Sequence, residues 1–141
     1  MGDFSRIAGK IAERIYQGPI GIRELNDIVG SIFGNVNCYP GQKTDVCCLD
    51  ALFVSLTSKH HKQGNGHLSL RDALEALVQH MMVKCKGSTQ SATIITDNWQ
   101  PDDFERWKES IELLISNGNQ IEIYLLVHGR AIQVQRDEGG L

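Results

Sequence analysis

Apolar residues recur at intervals of three and four through much of the chain, which is the spacing that places side chains on one face of a helix. This spacing predicts a first helix over Asp3–Tyr16 and a second over about Gly21–Phe33. A third helix is predicted to begin at Thr44 or Asp45, where a side-chain oxygen can accept a free amide hydrogen bond. A fourth is predicted to begin at the cap residue Ser69 and to end near Gly87.

The third predicted helix is apolar on nearly every side. Leucine and phenylalanine side chains form one face, and Cys47, Ala51 and Val54 line the opposite one. Because a helix that is apolar all round is usually buried, this segment is predicted to be the centre of the fold. The two histidines that follow, His60 and His61, are predicted to interact with the negative end of its dipole.

After Gly87 the pattern changes to short β-branched and alternating runs. The expected elements are a strand over Ala92–Thr96, a helix from Pro101 to Asn117, a strand over Ile121–Val127 and a returning strand over Ala131–Gln135. His128-Gly129 is the predicted hairpin turn. The sequence therefore predicts one α+β domain over residues 1–141, in which four helices precede strand, helix, strand and strand, with a small sheet packed on the helices and a flexible tail at about 136–141.

Composition narrows the function classes. The chain has 141 residues, with 14 Lys+Arg against 17 Asp+Glu and a net charge of −3. This balance disfavours nucleic acid as the main partner. The longest unbroken aliphatic and aromatic run, Ile123–Val127, is far short of a membrane span. Because the N-terminus lacks a secretory signal, a cytoplasmic location with reduced cysteines is expected.

One cysteine has a position that suits a reactive thiol. Cys47 stands near the start of the third predicted helix. Unpaired amides and the positive end of a helix dipole lower the pKa of a thiol and favour the thiolate. The alternative is that the cysteines are buried structural residues in a central helix.

The string from Asp45 to Phe53 resembles the nucleophile helix of papain-like cysteine proteases. In that resemblance Cys47 matches the nucleophile, and Asp50 stands where asparagine is usual. The resemblance implies that Gln42 stabilises an oxyanion, that His128 is the base and that Asp137 orients it. A compact cysteine hydrolase is therefore the second function considered.

A small zinc-binding protein is a lesser alternative. Zinc takes four nitrogen or sulfur ligands in a tetrahedron, and the chain offers these candidates: Cys38, Cys47, His60, His61, His67, His80 and Cys85. They lack the paired spacing of common zinc sites, and no metal or cofactor is predicted.

With no convergent catalytic set, the leading prediction is a non-enzymatic protein that contacts another protein or itself, in the second case as a homo-oligomer. The N-terminal helix is one predicted binding surface, through Phe4 and the basic stripe of Arg6, Lys10 and Arg14. The edge strand of the C-terminal hairpin is the other, because an exposed edge presents unpaired amides and carbonyls.

Overall fold

A computed structural model describes residues 2–32, 37–39, 50–62, 69–84 and 91–134. The helices within these ranges are α1 (Gly2–Gln17), α2 (Ile22–Ile32), α3 (Leu70–Gln79) and α4 (Pro101–Ser116). A π-helical turn, His80–Lys84, extends α3. The strands are β1 (Asn37–Tyr39), β2 (Asp50–Ser55), β3 (Ser91–Thr96), β4 (Gln120–Val127) and β5 (Arg130–Gln133).

The strands form one sheet in the order β1-β2-β3-β4-β5. The first four strands are parallel, and β5 is antiparallel to β4. Helix α3 lies between β2 and β3 along the chain, and α4 between β3 and β4. Parallel neighbours require such crossover connections, because a tight turn can only reverse the chain direction.

Helices cover both faces of the sheet. On one face α1 and α2 pack against one set of alternating strand residues, which includes Leu52, Val54 and Ile95. On the other face α3 and α4 pack against the intervening residues, which include Phe53, Ile94 and Ile123. The domain therefore has three layers, with the strand side chains buried on both sides.

The prediction of a third, buried helix is wrong for the residues that the structure describes. Asp50–Ser55 forms strand β2, with β1 and β3 as parallel neighbours. A strand buried on both faces has no polar alternation and reads as a continuous apolar run, which short sequence windows cannot distinguish from a buried helix. Residues 40–49 lie outside the described part of the chain.

The mixed α and β class is confirmed, but the predicted order is not. The helices alternate with the strands from β2 onward, and strand β1 was not predicted. Helices α1, α2 and α4 and the start of α3 were predicted within a few residues of their bounds, with Ser69 accepting the Asp72 amide hydrogen bond at 3.1 Å as the cap of α3. The predicted helix end near Gly87 lies outside the described residues. The hairpin at His128-Gly129 is also confirmed. The predicted tail at 136–141 lies outside the described residues.

The junction between α1 and α2 is tied by Arg14. Its guanidinium pairs with the Glu24 carboxylate and donates to the Gly18 carbonyl oxygen at 3.0 Å. The hydrogen bond and charge of Glu24 raise the pKa of Arg14, and those of Arg14 lower the pKa of Glu24. Among the helices that the structure describes, none is long and apolar enough to cross a membrane.

Candidate functional site

Polar residues collect where β2 and β3 end. Ligands of open α/β sheets usually bind at the carboxyl ends of parallel strands, because the loops that leave those ends converge there. Ser55 and Thr57 lie at the end of β2, and Asp97 and Asn98 follow β3. A functional site is therefore expected at this carboxyl edge.

Asp97 joins the two loops. Its side chain is 1% exposed. The Thr57 backbone N–H donates to its two carboxylate oxygens at 3.0 and 3.1 Å, and the Thr57 hydroxyl donates to Oδ2 at 2.8 Å. The backbone N–H of Asp97 in turn donates to the Ser55 carbonyl oxygen at 3.2 Å. The buried carboxylate thus fixes the loop after β2 against the end of β3.

His60 completes this cluster. Its Nδ1 lies 2.6 Å from Asp97 Oδ2, and its side chain is 25% exposed. Because a carboxylate only accepts hydrogen bonds, Nδ1 carries the hydrogen, and in the neutral ring Nε2 carries the lone pair. The backbone around His60 is held as well, since the Ile20 N–H donates to its carbonyl oxygen at 2.8 Å. The predicted role of His60 as a helix-end residue is wrong, because the described residues directly before it, from Asp50 on, form strand β2 and a turn.

A small cleft opens beside the Asp97 cluster, on the face that α3 and α4 cover. Its volume is about 170 Å³. The ends of β2 and β3 and the first residues of α3 and α4 line it with Ser55, Leu56, Thr57, Ser69, Leu70, Asn98, Gln100 and Asp103. Most of these side chains are polar, and one is a carboxylate. The cleft can therefore accept a small polar group.

The second feature is the edge of the sheet at β5, which has no further strand beside it among the described residues. Val134 N–H donates to the Ile123 carbonyl oxygen at 2.8 Å. Because hydrogen-bonded and non-hydrogen-bonded pairs alternate in an antiparallel ladder, the backbone groups of Ala131 and Gln133 point away from β4. Ile132, between them, is 45% exposed.

The β4–β5 turn explains the position of His128. His128 has φ 50° and Gly129 has φ 79°, which are the left-handed values that a two-residue hairpin requires. The His128 side chain is exposed at this turn. His128 lies at the far end of β4, and its predicted role as a base depends on Asp137, which lies outside the described residues.

The remaining residues of the predicted hydrolase site are also outside the described part of the chain, namely Cys47 and Gln42. The argument that a helix dipole activates Cys47 loses its support, because Asp50–Ser55 is a strand rather than a helix. The role of Cys47 as a nucleophile stays a prediction.

The N-terminal surface is only partly as predicted. Phe4 is buried in the core under α1, so it does not lie on an exposed surface. Arg14 holds α1 to α2 through Glu24. Arg6 and Lys10 are exposed. The basic stripe is therefore in part a structural contact between helices.

For the zinc alternative, no group of three or more histidine, cysteine or acidic side chains in the described ranges could hold a metal ion. His80 packs edge-on against Phe53 on the α3 face, with ring centroids 6.2 Å apart. His61 lies on the opposite side, where it forms a parallel bridge with Ile20. The two buried histidines thus have different neighbours and form no shared cluster among the described residues.

The Asp97 cluster was missed by the sequence argument, although a signal was present. Asp97-Asn98 directly follows the strand predicted over Ala92–Thr96, and polar residues at the carboxyl end of a strand often serve a site. Comparison with models of protein families, with curated proteins and with solved structures found no match for this chain.

Proposed function

We propose that this protein acts through contacts with another protein chain, which adds a strand to the open edge of its sheet at β5. The single observation that supports this is the edge itself, where outward backbone groups of Ala131 and Gln133 flank the exposed Ile132. Strand addition uses backbone hydrogen bonds for affinity and alternate side chains for specificity.

Strand β5 is short, with four residues, but it has few of the other features that proteins use to prevent such pairing. Charged side chains, prolines and bulges are the usual protections of an edge strand. In β5 the sequence is Arg-Ala-Ile-Gln, and its single charge, Arg130, stands next to the turn. The centre of the strand offers an apolar side chain between two sets of free backbone groups.

The test is a pair of edge variants and a matched surface control. Gln133→Pro removes a backbone N–H that points away from β4, so no hydrogen bond within the sheet is lost. Proline is tolerated at such a position of an edge strand. Ile132→Lys places a charge on the apolar centre of the strand. Leu113→Lys makes the same exchange on α4, where Leu113 is 53% exposed.

The measurements are the solution mass by light scattering and the recovery of a bound protein from the native source. We expect the wild type to exceed the 15.7 kDa of one chain or to retain a partner. Both edge variants should lose that association, and Leu113→Lys should keep it. A wild-type protein that is a strict monomer with no retained partner contradicts the proposal, as does equal loss in the α4 control.

A further inference from the structure

We infer that the cleft at the carboxyl edge is a binding site for a primary ammonium group. The site is separate from β5, because the ends of β2 and β3 and the first turns of α3 and α4 form it. Two side chains support the assignment, the hydroxyl of Ser55 and the carboxylate of Asp103.

Ser55 is a buried polar residue that faces the cleft. It is 4% exposed. The alternation of β2 turns its side chain to the same face as Ala51 and Phe53, which is the face that α3 and α4 cover. Its carbonyl oxygen is used by Asp97, but its hydroxyl has no hydrogen-bond partner among the described residues. The hydroxyl is not one of the fully buried polar atoms that lack a partner, and Ser55 lines the open cavity, so its oxygen is accessible to a ligand there.

Asp103 gives the cleft its charge. Asp103 lines the cavity and is half-buried. Among the described residues, its carboxylate has no ion-pair partner and no lysine or arginine lines the cavity. An anionic ligand would meet this negative charge, and no basic side chain of the described lining would offset it. A cation with several N–H donors is favoured instead, because a carboxylate and hydroxyl oxygens all accept hydrogen bonds.

The helix N-termini at the cleft do not reverse this preference. The Ser69 hydroxyl accepts the Asp72 amide hydrogen bond of α3, and Gln100 accepts the Asp103 and Phe104 amide hydrogen bonds of α4. Two aspartates in the first turn of α4 further offset its positive end. The cavity volume of about 170 Å³ suits a single amine head group and a short aliphatic stem.

An ammonium group can come from a free amine or from a lysine side chain of a partner. Titration of the isotope-labelled full chain by amide NMR distinguishes them, with n-butylammonium chloride for the first source and Nα-acetyl-lysine methylamide for the second. If the lysine compound binds at least as tightly as n-butylammonium, the ligand is a lysine side chain of a partner. If the lysine compound binds more weakly, the ligand is a free amine. Both results support the inference.

Variants and matched salts decide whether the site exists. We expect saturable shifts at residues 55–57 and 98–103 with n-butylammonium and none with tetramethylammonium, which has the charge but no N–H donor. Asp103→Asn should weaken binding by about tenfold or more, and Ser55→Ala by about two- to tenfold, as expected for charged and neutral hydrogen bonds. Asp102→Asn removes the same charge from the exposed side of the same helix turn and should leave binding unchanged.

The inference is overturned if n-butylammonium gives no saturable shift, or if tetramethylammonium gives the same shifts. It is also overturned if Asp102→Asn weakens binding as much as Asp103→Asn, or if inorganic phosphate alone saturates these amides. If Asp103→Asn does not fold, as its own amide spectrum will show, Ser55→Ala decides between the same outcomes.

Discussion

Replacing Asp97 by alanine should destabilise the domain. Among the acidic residues that the structure describes at the carboxyl edge of the sheet, Asp97 should have the largest effect. The carboxylate accepts hydrogen bonds from three donors, which are the Thr57 N–H, the Thr57 hydroxyl and His60 Nδ1. A hydrogen bond to a charged group contributes about 1.5–3 kcal/mol. Thr57 and His60 are partly exposed, so water can replace some of what is lost, and we expect a cost of about 2–4 kcal/mol.

Urea unfolding followed by tryptophan fluorescence and circular dichroism measures this cost. Asp102→Ala is the control, because Asp102 is exposed in the first turn of α4 and its loss should cost about 0.3–1 kcal/mol. Asp97→Asn should lie between the two, since its amide oxygen retains one acceptor. Surface substitutions usually change the free energy of unfolding by less than about 0.5 kcal/mol. If the free energies of unfolding of Asp97→Ala and Asp102→Ala differ by less than that at equal m-value, the cluster does not hold the two loops together.

Three further predictions test the turn and two ionisable groups. Gly129→Ala should destabilise the domain by about 1–2 kcal/mol, because the φ of Gly129, 79°, is left-handed. Gly9→Ala in α1 should stabilise the domain by about 0.5–1 kcal/mol, because the new Cβ enters open space. Thermal unfolding measures both changes. Burial and the neighbouring carboxylate raise the pKa of Tyr124 from 10.0 to about 12. The folded state favours the neutral phenol, so stability should fall as the pH rises from 10.0 to about 12. The midpoint of urea unfolding measures this fall, which should be smaller in Tyr124→Phe. Arg14 lowers the pKa of Glu24 below 4.5, so the stability that this pair contributes should be lost as the pH falls below 4.5. Melting temperatures measured over a pH series should show this loss, and the loss should be smaller in Glu24→Gln.

Local signals in the sequence were enough for the amphipathic helices and the hairpin. Ser69 caps α3 as its spacing predicted, and the His128-Gly129 turn follows a strand with clear alternation. These elements each have one polar side, so that the period of the pattern can be observed. Strand β2 has none, because helices cover both of its faces. Its period was therefore hidden, and a buried strand was predicted as a buried helix.

That one error had consequences for the predicted site. The thiolate argument for Cys47 depended on a helix whose residues Asp50–Ser55 form strand β2. The parallel pairing of β2 with β3 creates the carboxyl edge instead, where residues 40 positions apart in sequence, Thr57 and Asp97, are hydrogen-bonded. No local pattern encodes a contact over that separation, so the polar residues after the predicted strand indicated a site but could not show that Thr57 and His60 are the partners of Asp97.

The two proposed surfaces lie on different parts of the sheet, and this has a measurable consequence. The cleft is formed by the ends of β2 and β3, whereas β5 is separated from β3 by β4. No residue belongs to both surfaces, and α3 and α4 pack on one face of the sheet between them. Effects of distant substitutions with no shared partners usually add. We therefore expect Ser55→Ala to leave association at β5 unchanged, and Ile132→Lys to leave n-butylammonium binding unchanged. A double variant that weakens either process beyond its single variant would show that a ligand in the cleft is coupled to the partner at the edge.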